Sequence, residues 1–561
     1  MSKTLLVAEK PSVGQDLARV LPGPFKKNEG FLEGPDHVIT WAVGHLVQLA
    51  EPEAYDAKYK SWRMADLPIV PDRFKLIVRD ERSRKQMSAV TKQLGREDVG
   101  EVVNACDAGR EGELIFAYLY EKAKAKKPVK RLWLNSMTNA AMRAALESLR
   151  PSEEFERLEE AARSRSEADW IVGMNATRAA TIRLRSSFDG AVSLGRVQTP
   201  TLAIVARREE EIKAFKPEPY WLVDATFRAE HPLPDGGGGE RTYLGHYQAP
   251  PGSPGNTKGP RLGTEAEAEA IVAACRDQIG TITKLEKKEQ REKAPMLYDL
   301  TTLQREANNR YGFSAKRTLA AAQRLYEEHK ALTYPRTNSR YLTTDMVEEI
   351  KPIAELVGQQ SEYRKGAEYV VGLDVLPLAR VVNDEKVTDH HAIIPTRSEG
   401  GHPVDKMSSD DQRIYDMAVR RFLAVFHPEA VFENTRVETT VGDGTPAHPE
   451  HVFRTRGKLL LVPGWRGVYD EIAADAKGEE ARGEEDEATD QQLPRLVDGE
   501  PVLTVTIESA SKETKPPRRY SDASLLGAME TAGKLVDDDE LREAMKESGI
   551  GTPATRAAII E

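Results

Sequence analysis

Short apolar runs and helical patterns alternate along the first part of the chain. Residues 4–8 (TLLVA) form one such run, which ends at Glu9, and residues 101–105 (EVVNA) form a second, which ends at Cys106-Asp107. Runs with no polar face are typical of strands buried on both sides of a parallel sheet. A helical pattern follows each run, and Ser12 is the expected N-cap of the first helix. The alternation predicts an α/β domain with a mainly parallel sheet.

The pattern changes repeatedly in the rest of the chain. Residues 152–215 show helical spacing rich in Glu, Arg and Ala, and strand-like pieces follow from about residue 216. Helical spacing returns over 300–330, and strand-like pieces return over 432–470 and 499–510. A chain of 561 residues is too long for one hydrophobic core, so about three to five domains are expected. It stops inside a predicted helix, and we expect it to end short of a further domain.

The net charge of −10 is unevenly distributed. Residues 471–492 hold nine acidic and two basic residues, a composition that predicts a disordered surface loop. Residues 291–341 hold ten basic and five acidic residues, and residues 161–200 hold six arginines and no lysine. Because guanidinium groups bind phosphate bidentately, the concentrated basic charge favours a phosphate-binding groove, although solvated helix faces can carry the same charge.

Composition excludes several classes of protein. No stretch approaches the roughly 18 uninterrupted apolar residues of a membrane helix. The N-terminus, MSKTLLVAEKPS, has no small-residue cleavage site and is not a signal peptide. The two cysteines, Cys106 and Cys275, can build neither a disulfide framework nor a four-cysteine zinc site. We therefore expect a protein of the reducing cytoplasm with no membrane partner.

Carboxylates collect where the two predicted parallel strands end. Glu9 and Asp107 occupy these ends, and Glu111 and Glu113 follow within the turn DAGREGE. Ligands bind at the carboxyl ends of strands in open α/β sheets, and carboxylate oxygens suit Mg²⁺ beside a phosphate. Taken alone, the turn is explained better by a solvated helix start, since acids are favoured at helix N-termini.

A second group of residues surrounds Tyr334 in LTYPRTNSR. Pro335 favours an extended backbone at Tyr334, which puts Arg336 on the same face. A tyrosine hydroxyl, with a usual pKa of about 10, needs nearby positive charge to act as a nucleophile, and Arg336 could also hold the attacked phosphate. A core or interface role is the alternative for any one of the 17 tyrosines. His390 and His391, in VTDHHAIIPT, are by themselves more typical of structural histidines than of a metal site.

Together these motifs resemble those of type IA DNA topoisomerases. The N-terminal EKPS and the DAGREGE turn resemble the Toprim domain of that family, and SLGRVQTPTL at 193–202 is similar to its SxGRVQ(S/T)PTL motif. LTYPRTNSRYL resembles the family's tyrosine motif, and PPRRY at 516–520 and GIGTPAT at 549–555 resemble its C-terminal motifs. The motifs occur in the same order as in the family and cover essentially the whole chain. The sequences YPR and HHAIIPT within these motifs favour the bacterial topoisomerase III branch over topoisomerase I.

The resemblance implies a role for each matching residue. Tyr334 is the expected nucleophile and Glu9 the general acid, while Lys10 and Arg336 stabilise charge on the phosphoryl oxygens. His390 is expected to hydrogen-bond the scissile phosphate or the Tyr334 region. Mg²⁺ is the expected cofactor, and its expected ligands are Glu9, Asp107 and Glu111, with Glu113 assisting. The residues expected to grip the single strand are Arg165, Asp169, Arg178, Ser193, Arg196 and Gln198.

Two positions depart from the family pattern. Gly109 stands where the second Asp of Asp-x-Asp-x-Glu is common, so we expect one catalytic Mg²⁺ and weaker support for a second. Asn338 stands where an acidic residue is more usual after the tyrosine, which removes a charge near the scissile phosphate. Neither departure removes the nucleophile.

The resemblance implies a multidomain α/β plus α+β fold, in which a Toprim domain with a Rossmann-like parallel sheet, helical domains and a strand-rich arch form a toroid. The expected division is 1–151 for the Toprim domain, 152–215 with 493–561 for a helical single-strand-binding region, 216–290 with 405–492 for the arch, and 291–404 for the tyrosine-bearing domain.

The implied activity is ATP-independent strand passage, in which one DNA strand is cut through a 5′-phosphotyrosyl link and resealed. The Gly-Lys pairs at 457–458 and 533–534 lack the glycine spacing and the Ser/Thr of a P-loop. The expected partner is single-stranded DNA, or single-stranded regions of negatively supercoiled DNA, with RNA open as a further substrate; we expect a monomer at the nucleoid. Two alternatives stay open: a Toprim-type nuclease or primase-like enzyme, and a non-catalytic single-strand-binding protein.

Overall fold

The structure is a computed structural model. It describes residues 2–134, 139–187, 189–229, 241–249, 261–387, 389–397, 401–445, 448–469, 491–535, 542, 545 and 549–561. The loop predicted over 471–492 lies outside the described residues, apart from its last two positions.

The N-terminal domain is built on a sheet of mixed direction. Its strands are β1 (Lys3–Ala8), β2 (Lys26–Asn28), β3 (Phe31–Glu33), β4 (His37–Trp41), β5 (Val47–Leu49), β6 (Leu76–Val78), β7 (Val99–Ala105), β8 (Val129–Arg131) and β9 (Arg150–Pro151). Its helices are α1 (Pro11–Val20), α2 (Glu81–Leu94), α3 (Arg110–Lys122) and α4 (Asn139–Glu147). The main sheet has the order β2-β3-β4-β1-β7-β8-β9, and the run β4-β1-β7-β8 is parallel, while β5 and β6 pair separately.

Both apolar runs form the predicted strands, buried on both faces. Leu5 and Val7 of β1 belong to one hydrophobic cluster, and Leu6 and Ala8 belong to another on the opposite face. The expected cap at Ser12 is wrong, because α1 already begins at Pro11. Proline suits a first helical position, where its missing N–H would have had no partner inside the helix.

The next part of the chain forms two long helices and a closed barrel. The helices are α5 (Glu156–Leu184) and α6 (Gln198–Ala214), and α7 (Glu265–Cys275) packs on the barrel. The barrel strands are β10 (Pro219–Ala229), β11 (Thr242–Tyr247), β12 (Ile279–Glu292), β13 (Ala430–Val441), β14 (His451–Val462) and β15 (Pro501–Glu513). They close in the order β10-β11-β14-β13-β12-β15.

The strand β12 extends beyond the barrel wall. It pairs with β15 only over 279–281, whereas it pairs with β13 from Gly280 to Glu292. Its side chains alternate between buried and exposed only near the start, and from Lys284 onward (KLEKKEQRE) almost all are exposed. The second half of β12 therefore forms, with β13 and β14, a ribbon that leaves the barrel and leads to the tyrosine-bearing region.

The tyrosine-bearing region is a helical unit inserted between β12 and β13. Its helices are α8 (Leu300–Tyr311), α9 (Ala315–Glu327), α10 (Val347–Val357), α11 (Arg364–Val371) and α12 (Ser409–Ala424), and one hydrophobic core joins them. Two C-terminal helices, α13 (Asp522–Glu530) and α14 (Pro553–Ile560), add Leu526 and Ala557 to this core.

The arrangement differs from the expected domain division at two places. The helix α12 packs in the core of the tyrosine-bearing region, although the division assigned its residues to the arch. The strand β15 closes the barrel by pairing with β10, although the division assigned it to the helical region. Both differences come from long-range packing, which local periodicity does not record. Across the described residues, every helix is too short or too polar to cross a membrane.

Candidate active site

Residues from two strand ends meet at one edge of the N-terminal sheet. Ala8 of β1 pairs with Trp41 of β4 on one side and with Ala105 of β7 on the other, so the three parallel strands end level with each other. Glu9 follows β1 and Asp107 follows β7, and the backbone N–H of Asp107 donates to a carboxylate oxygen of Glu9 at 3.4 Å. The predicted meeting of these two carboxylates is present in the structure.

Lys10 connects this edge to the tyrosine-bearing region. Its ammonium nitrogen lies 2.7 Å from Asp107 Oδ2, 3.4 Å from Glu9 Oε1 and 3.2 Å from the hydroxyl oxygen of Tyr334. It also lies 4.3 Å from the centre of the Tyr334 ring. Burial acts to lower the pKa of Lys10, but the carboxylates of Asp107 and Glu9 outweigh burial and hold the pKa well above its usual value. Lys10 is therefore a fixed positive charge at the tyrosine hydroxyl.

The tyrosine segment is anchored to the segment that carries His390. The backbone N–H of Thr333 donates to the carbonyl of Ile394 at 3.0 Å, and the hydroxyl of Thr337 donates to the carbonyl of His390 at 2.7 Å. These bonds bring the ring of His390 to 4.4 Å from the ring of Tyr334. The family resemblance, and not the local sequence around Tyr334, indicated this neighbour, which lies 56 positions along the chain.

The charged groups at the centre are mutually stabilised. Burial raises the pKa of Tyr334, while the Lys10 ammonium acts in the opposite direction. Burial also acts to raise the pKa of Asp107, but His390, with Nε2 3.5 Å from Asp107 Oδ2, and Lys10 outweigh it and hold that pKa below its usual range. Burial raises the pKa of Glu9, and the negative charge of Asp107 raises it further. Glu9 is thus favoured as a proton donor, and its neighbour Asp107 is favoured as an anion.

Glu111 lies in the first turn of α3, beside a histidine that the sequence reasoning missed. The ring nitrogen Nε2 of His45 lies 3.3 Å from Glu111 Oε1, and this hydrogen bond lowers the pKa of Glu111. His45 follows β4, whose carboxyl end lies at the same sheet edge. Arg336 is exposed, and its positive charge also favours the ionised form of Glu111. Asn338 is exposed in the same segment.

Glu113, expected as an assisting metal ligand, points away from this edge. Its carboxylate is buried, accepting from Arg131 Nε at 2.6 Å and from the amide of Asn104 at 3.1 Å. The fully buried guanidinium of Arg131 also donates to the carbonyls of Asn104, Cys106, Leu132 and Asp107 at 2.7–3.1 Å. Glu113 and Arg131 therefore hold the end of β7 in place and present Asp107, which the sequence reasoning did not foresee.

The carboxylates of Glu9, Asp107 and Glu111 have the chemistry that a hard divalent cation requires. Within the described ranges, no three His, Cys, Asp or Glu side chains converge into a metal site as they stand. The Lys10 ammonium contacts Glu9 and Asp107, and His45 bonds to Glu111, so each oxygen donor has a positive or N–H partner that an ion would replace or share. The chemical nature of these three carboxylates therefore fits a divalent metal ion.

Five of the six residues expected to grip a single strand share one face. Asp169 of α5 forms an ion pair with Arg196, with Nη1 2.9 Å from Oδ1. Farther along the helix, the hydroxyl of Thr177 bonds to the backbone at Leu194. The segment before α6 therefore lies along this face of α5. The five residues are Arg165, one turn before Asp169, together with Asp169, Ser193, Arg196 and Gln198, whose side-chain amide donates to Ser193 at 2.8 Å.

Arg178 does not share that face. It lies nine residues after Asp169, which is about 180° around an α-helix. Its guanidinium is only 4% exposed, donates to the carbonyl of Tyr59 at 2.6 Å and lies 5.0 Å from the ring of Trp62. The structure therefore assigns Arg178 to packing between α5 and residues 59–62 instead of to an open nucleic-acid surface.

Comparison with known proteins agrees with this geometry. Residues 4–137 match the family described as Toprim domain, and residues 153–561 match the family described as DNA topoisomerase. DNA topoisomerase 3 of Bacillus cereus is 41% identical over 570 residues, covering 100% of this chain and 72% of the relative. DNA topoisomerase 3 of Bacillus licheniformis is 42% identical over 564 residues with the same coverage.

A solved structure shares the fold. Full-length topoisomerase I from Thermotoga maritima matches with a TM-score of 0.64 and 20% identity, over 99% of this chain and 77% of that chain. The match confirms the predicted fold class. A Toprim domain is a metal-binding domain, in agreement with the oxygen donors at the sheet edge. With both family matches and full-length likeness to enzymes named DNA topoisomerase 3, the chain belongs to the type IA DNA topoisomerases.

Proposed function

We propose that the chain cuts and reseals one DNA strand through Tyr334, without a nucleotide cofactor. The observation that carries this proposal is the position of Lys10, whose ammonium contacts both the Tyr334 hydroxyl at 3.2 Å and Asp107 at 2.7 Å. An ammonium group can only donate hydrogen bonds, so the tyrosine oxygen is the acceptor, and the ammonium charge opposes the burial that raises the pKa of Tyr334.

In the proposed cleavage step, the Tyr334 oxygen attacks a backbone phosphorus in line with the departing 3′-oxygen. A phosphotyrosyl bond to the 5′-phosphate forms as the bond to the 3′-oxygen breaks. The proton of the tyrosine hydroxyl passes to solvent water, and Glu9, whose pKa is raised by burial and by Asp107, gives its own proton to the 3′-oxygen and is left as a carboxylate. The return reaction uses the same groups in reverse, so the energy of the broken phosphoester is kept for resealing.

Several neighbours stabilise the charge on the phosphate. Phosphoryl transfer depends mainly on positioning and on positive charge near the transferred oxygens. Lys10 and Arg336 provide that charge, and His390, against the Tyr334 ring, contacts the phosphate region. We propose Mg²⁺ as the metal ion, held by Glu9, Asp107 and Glu111, where it would neutralise phosphates flanking the break during resealing.

The proposed physiological reactions are relaxation of negative supercoils and unlinking of catenated DNA. Both require a second strand to pass through the break, so the contact between Lys10 and Tyr334 has to open and close once per cycle. The substrate is a single strand or a single-stranded region of supercoiled DNA, and we propose that a monomer acts on it at the nucleoid of a bacterial cell. RNA as a further substrate belongs to the same proposal.

Two end-labelled oligonucleotides test the polarity of the covalent link. A single-stranded DNA labelled at its 3′-end should yield, after denaturation with SDS, a labelled band at the mass of the protein, without added ATP. The same DNA labelled at its 5′-end should yield only a shorter free fragment. Cleavage of both without any adduct would favour a nuclease, and salt-sensitive binding without cleavage would favour a single-strand-binding protein. An RNA of the same sequence tests the extension to RNA.

The grip on the single strand gives a separate prediction. Arg165 forms no ion pair with another described residue and continues the face of α5 that holds Asp169 and Arg196. We expect Arg165→Ala to reduce the slope of log affinity against log salt concentration by about 0.7, the amount for one phosphate contact on a single strand. Fluorescence anisotropy with a labelled oligonucleotide measures the slope. Arg157→Ala, at the exposed start of the same helix, is the control, and an equal change in both variants would contradict the assignment.

A further inference from the structure

The carboxylate of Asp389 occupies the space that a side chain at position 109 would need. A Cβ atom built on Gly109 would lie 2.6 Å from Asp389 Oδ1, 2.8 Å from its Cγ and 3.0 Å from Oδ2. Real Cβ atoms do not approach other atoms so closely. A side chain at position 109 and the present position of Asp389 therefore exclude one another.

The backbone does not require glycine at this position. Gly109 has φ 165° and ψ 175°, an extended conformation that any residue adopts. Its missing side chain is thus explained by the neighbour across the domain contact. Gly109 lies in the DAGREGE turn of the Toprim domain, and Asp389 lies next to His390 in the tyrosine-bearing region.

Asp389 lies among carboxylates, and none of the residues that the structure describes is its hydrogen-bond or ion-pair partner. The negative charges of Asp107 and Glu111 act on it unfavourably, and the positive charges of His390 and Arg110 act on it favourably. No hydrogen bond or ion pair joins its carboxylate to another residue that the structure describes, and its side chain is only partly exposed. A half-buried, unpaired carboxylate beside two others is electrostatically unfavourable unless a cation joins them.

We propose that Asp389 supplies, from the tyrosine-bearing region, the carboxylate that Gly109 leaves out of the DAGREGE turn, and so completes the divalent-metal site of the Toprim domain. The inference rests on the proposed role of the metal at Glu9, Asp107 and Glu111. It differs from the expectation drawn from Gly109 alone, which was one catalytic Mg²⁺ with weaker support for a second. The ligand set then spans the two regions that must separate for strand passage, and an ion bound there favours their closed arrangement.

Metal binding itself tests the proposal, measured as free Mn²⁺ by electron paramagnetic resonance during titration of the full chain. We expect Asp389→Asn to weaken Mn²⁺ binding by about tenfold or more, since one charged ligand is lost. Asp374→Asn is the matched control, because Asp374 is exposed in the same region and forms no hydrogen bond or ion pair with another residue that the structure describes. It should bind Mn²⁺ as the unchanged protein does. Circular dichroism confirms that each variant is folded.

The double variant Gly109→Asp with Asp389→Ala tests the position of the carboxylate. It moves the acid back into the Toprim turn and removes the atoms that would collide with it. We expect Mn²⁺ affinity to return to within about threefold of the unchanged protein. Unchanged affinity in Asp389→Asn would overturn the proposal, and so would a double variant as weak as Asp389→Asn.

The covalent adduct separates this inference from the proposed function. Cleavage of a labelled oligonucleotide by the unchanged protein depends on Tyr334 and not on Asp389. If the unchanged protein forms the adduct and Asp389→Asn binds Mn²⁺ as tightly as the unchanged protein does, the inference about Asp389 is wrong and the proposed function still stands. If the unchanged protein forms no adduct, the proposed function is wrong, whatever the Mn²⁺ titration shows.

Discussion

Replacing Tyr334 by phenylalanine is expected to abolish the covalent DNA adduct and to reduce relaxation of supercoiled plasmid to background. The substitution removes one oxygen atom, and that atom is the proposed nucleophile. The ring contacts survive, because Lys10 lies 4.3 Å from the ring centre and the His390 ring lies 4.4 Å from it. Single-strand affinity should therefore stay within about twofold, since the proposed DNA-gripping face lies on α5.

Tyr341→Phe is the matched control for that experiment. Tyr341 lies seven residues further along the same segment, and its hydroxyl accepts a bond from Lys386 at 3.2 Å. It should form the adduct at the normal rate. An adduct that persists in Tyr334→Phe would require another nucleophile, and Tyr326, whose ring lies 5.4 Å from that of Tyr334, would be the first to examine. Cleavage without an adduct would instead support a nuclease.

Replacing Arg131 by methionine is expected to destabilise the Toprim domain by about 3–5 kcal/mol, the usual effect of removing one partner of a buried ion pair. The carboxylate of Glu113 would remain buried without its guanidinium, and four backbone carbonyls around the end of β7 would lose a donor. Asp107 lies at that end, so metal binding should weaken as well. Hydrogen exchange of peptides covering β7, with chemical denaturation of the whole chain, measures the loss.

Two variants show whether the effect comes from the buried pair. Arg150→Met removes an arginine whose partner, Glu154, is a half-exposed residue four positions further along the chain, and should change stability by less than about 1 kcal/mol. Arg131→Met combined with Glu113→Met should recover part of the loss, because no unpaired carboxylate remains. Equal losses in Arg131→Met and Arg150→Met would contradict the role given to Arg131.

The parts of the site that follow strands could be predicted from the sequence. Two apolar runs identified β1 and β7, and the rule that ligands lie at the carboxyl ends of parallel strands brought Glu9 and Asp107 together. His45 follows the same rule, because β4 (HVITW) is a third apolar strand ending at the same edge. The apolar run of β4 is therefore the sequence signal that indicates His45. The assignment of Tyr334 depended on the family resemblance, since local sequence favoured no one tyrosine.

The remaining differences come from contacts between distant parts of the chain. A single arginine in VKRLWL carries no sign that it is fully buried, so the role of Arg131 required the structure. The family resemblance placed Arg178 with Arg165 among the residues that bind the single strand, whereas the helical period places it on the opposite side of α5 from Asp169. Asp389 directly precedes His390 and His391 in VTDHHAIIPT, and only the two histidines of this motif were candidate site residues. Its meaning depends on Gly109, which lies 280 positions earlier.

We expect the ribbon made by β12, β13 and β14 to act as a lever arm. Nine residues of β12, from Lys284 to Glu292, extend past the barrel wall, and at about 3.3 Å per residue they span roughly 30 Å. A rotation of about 20° where the strands leave the barrel therefore moves the far end by roughly 10 Å. The tyrosine-bearing region is attached to that end through Glu292 and Ala430, which are paired with each other. The length of the ribbon thus sets how far the tyrosine-bearing region moves for a given rotation at the base of the strands.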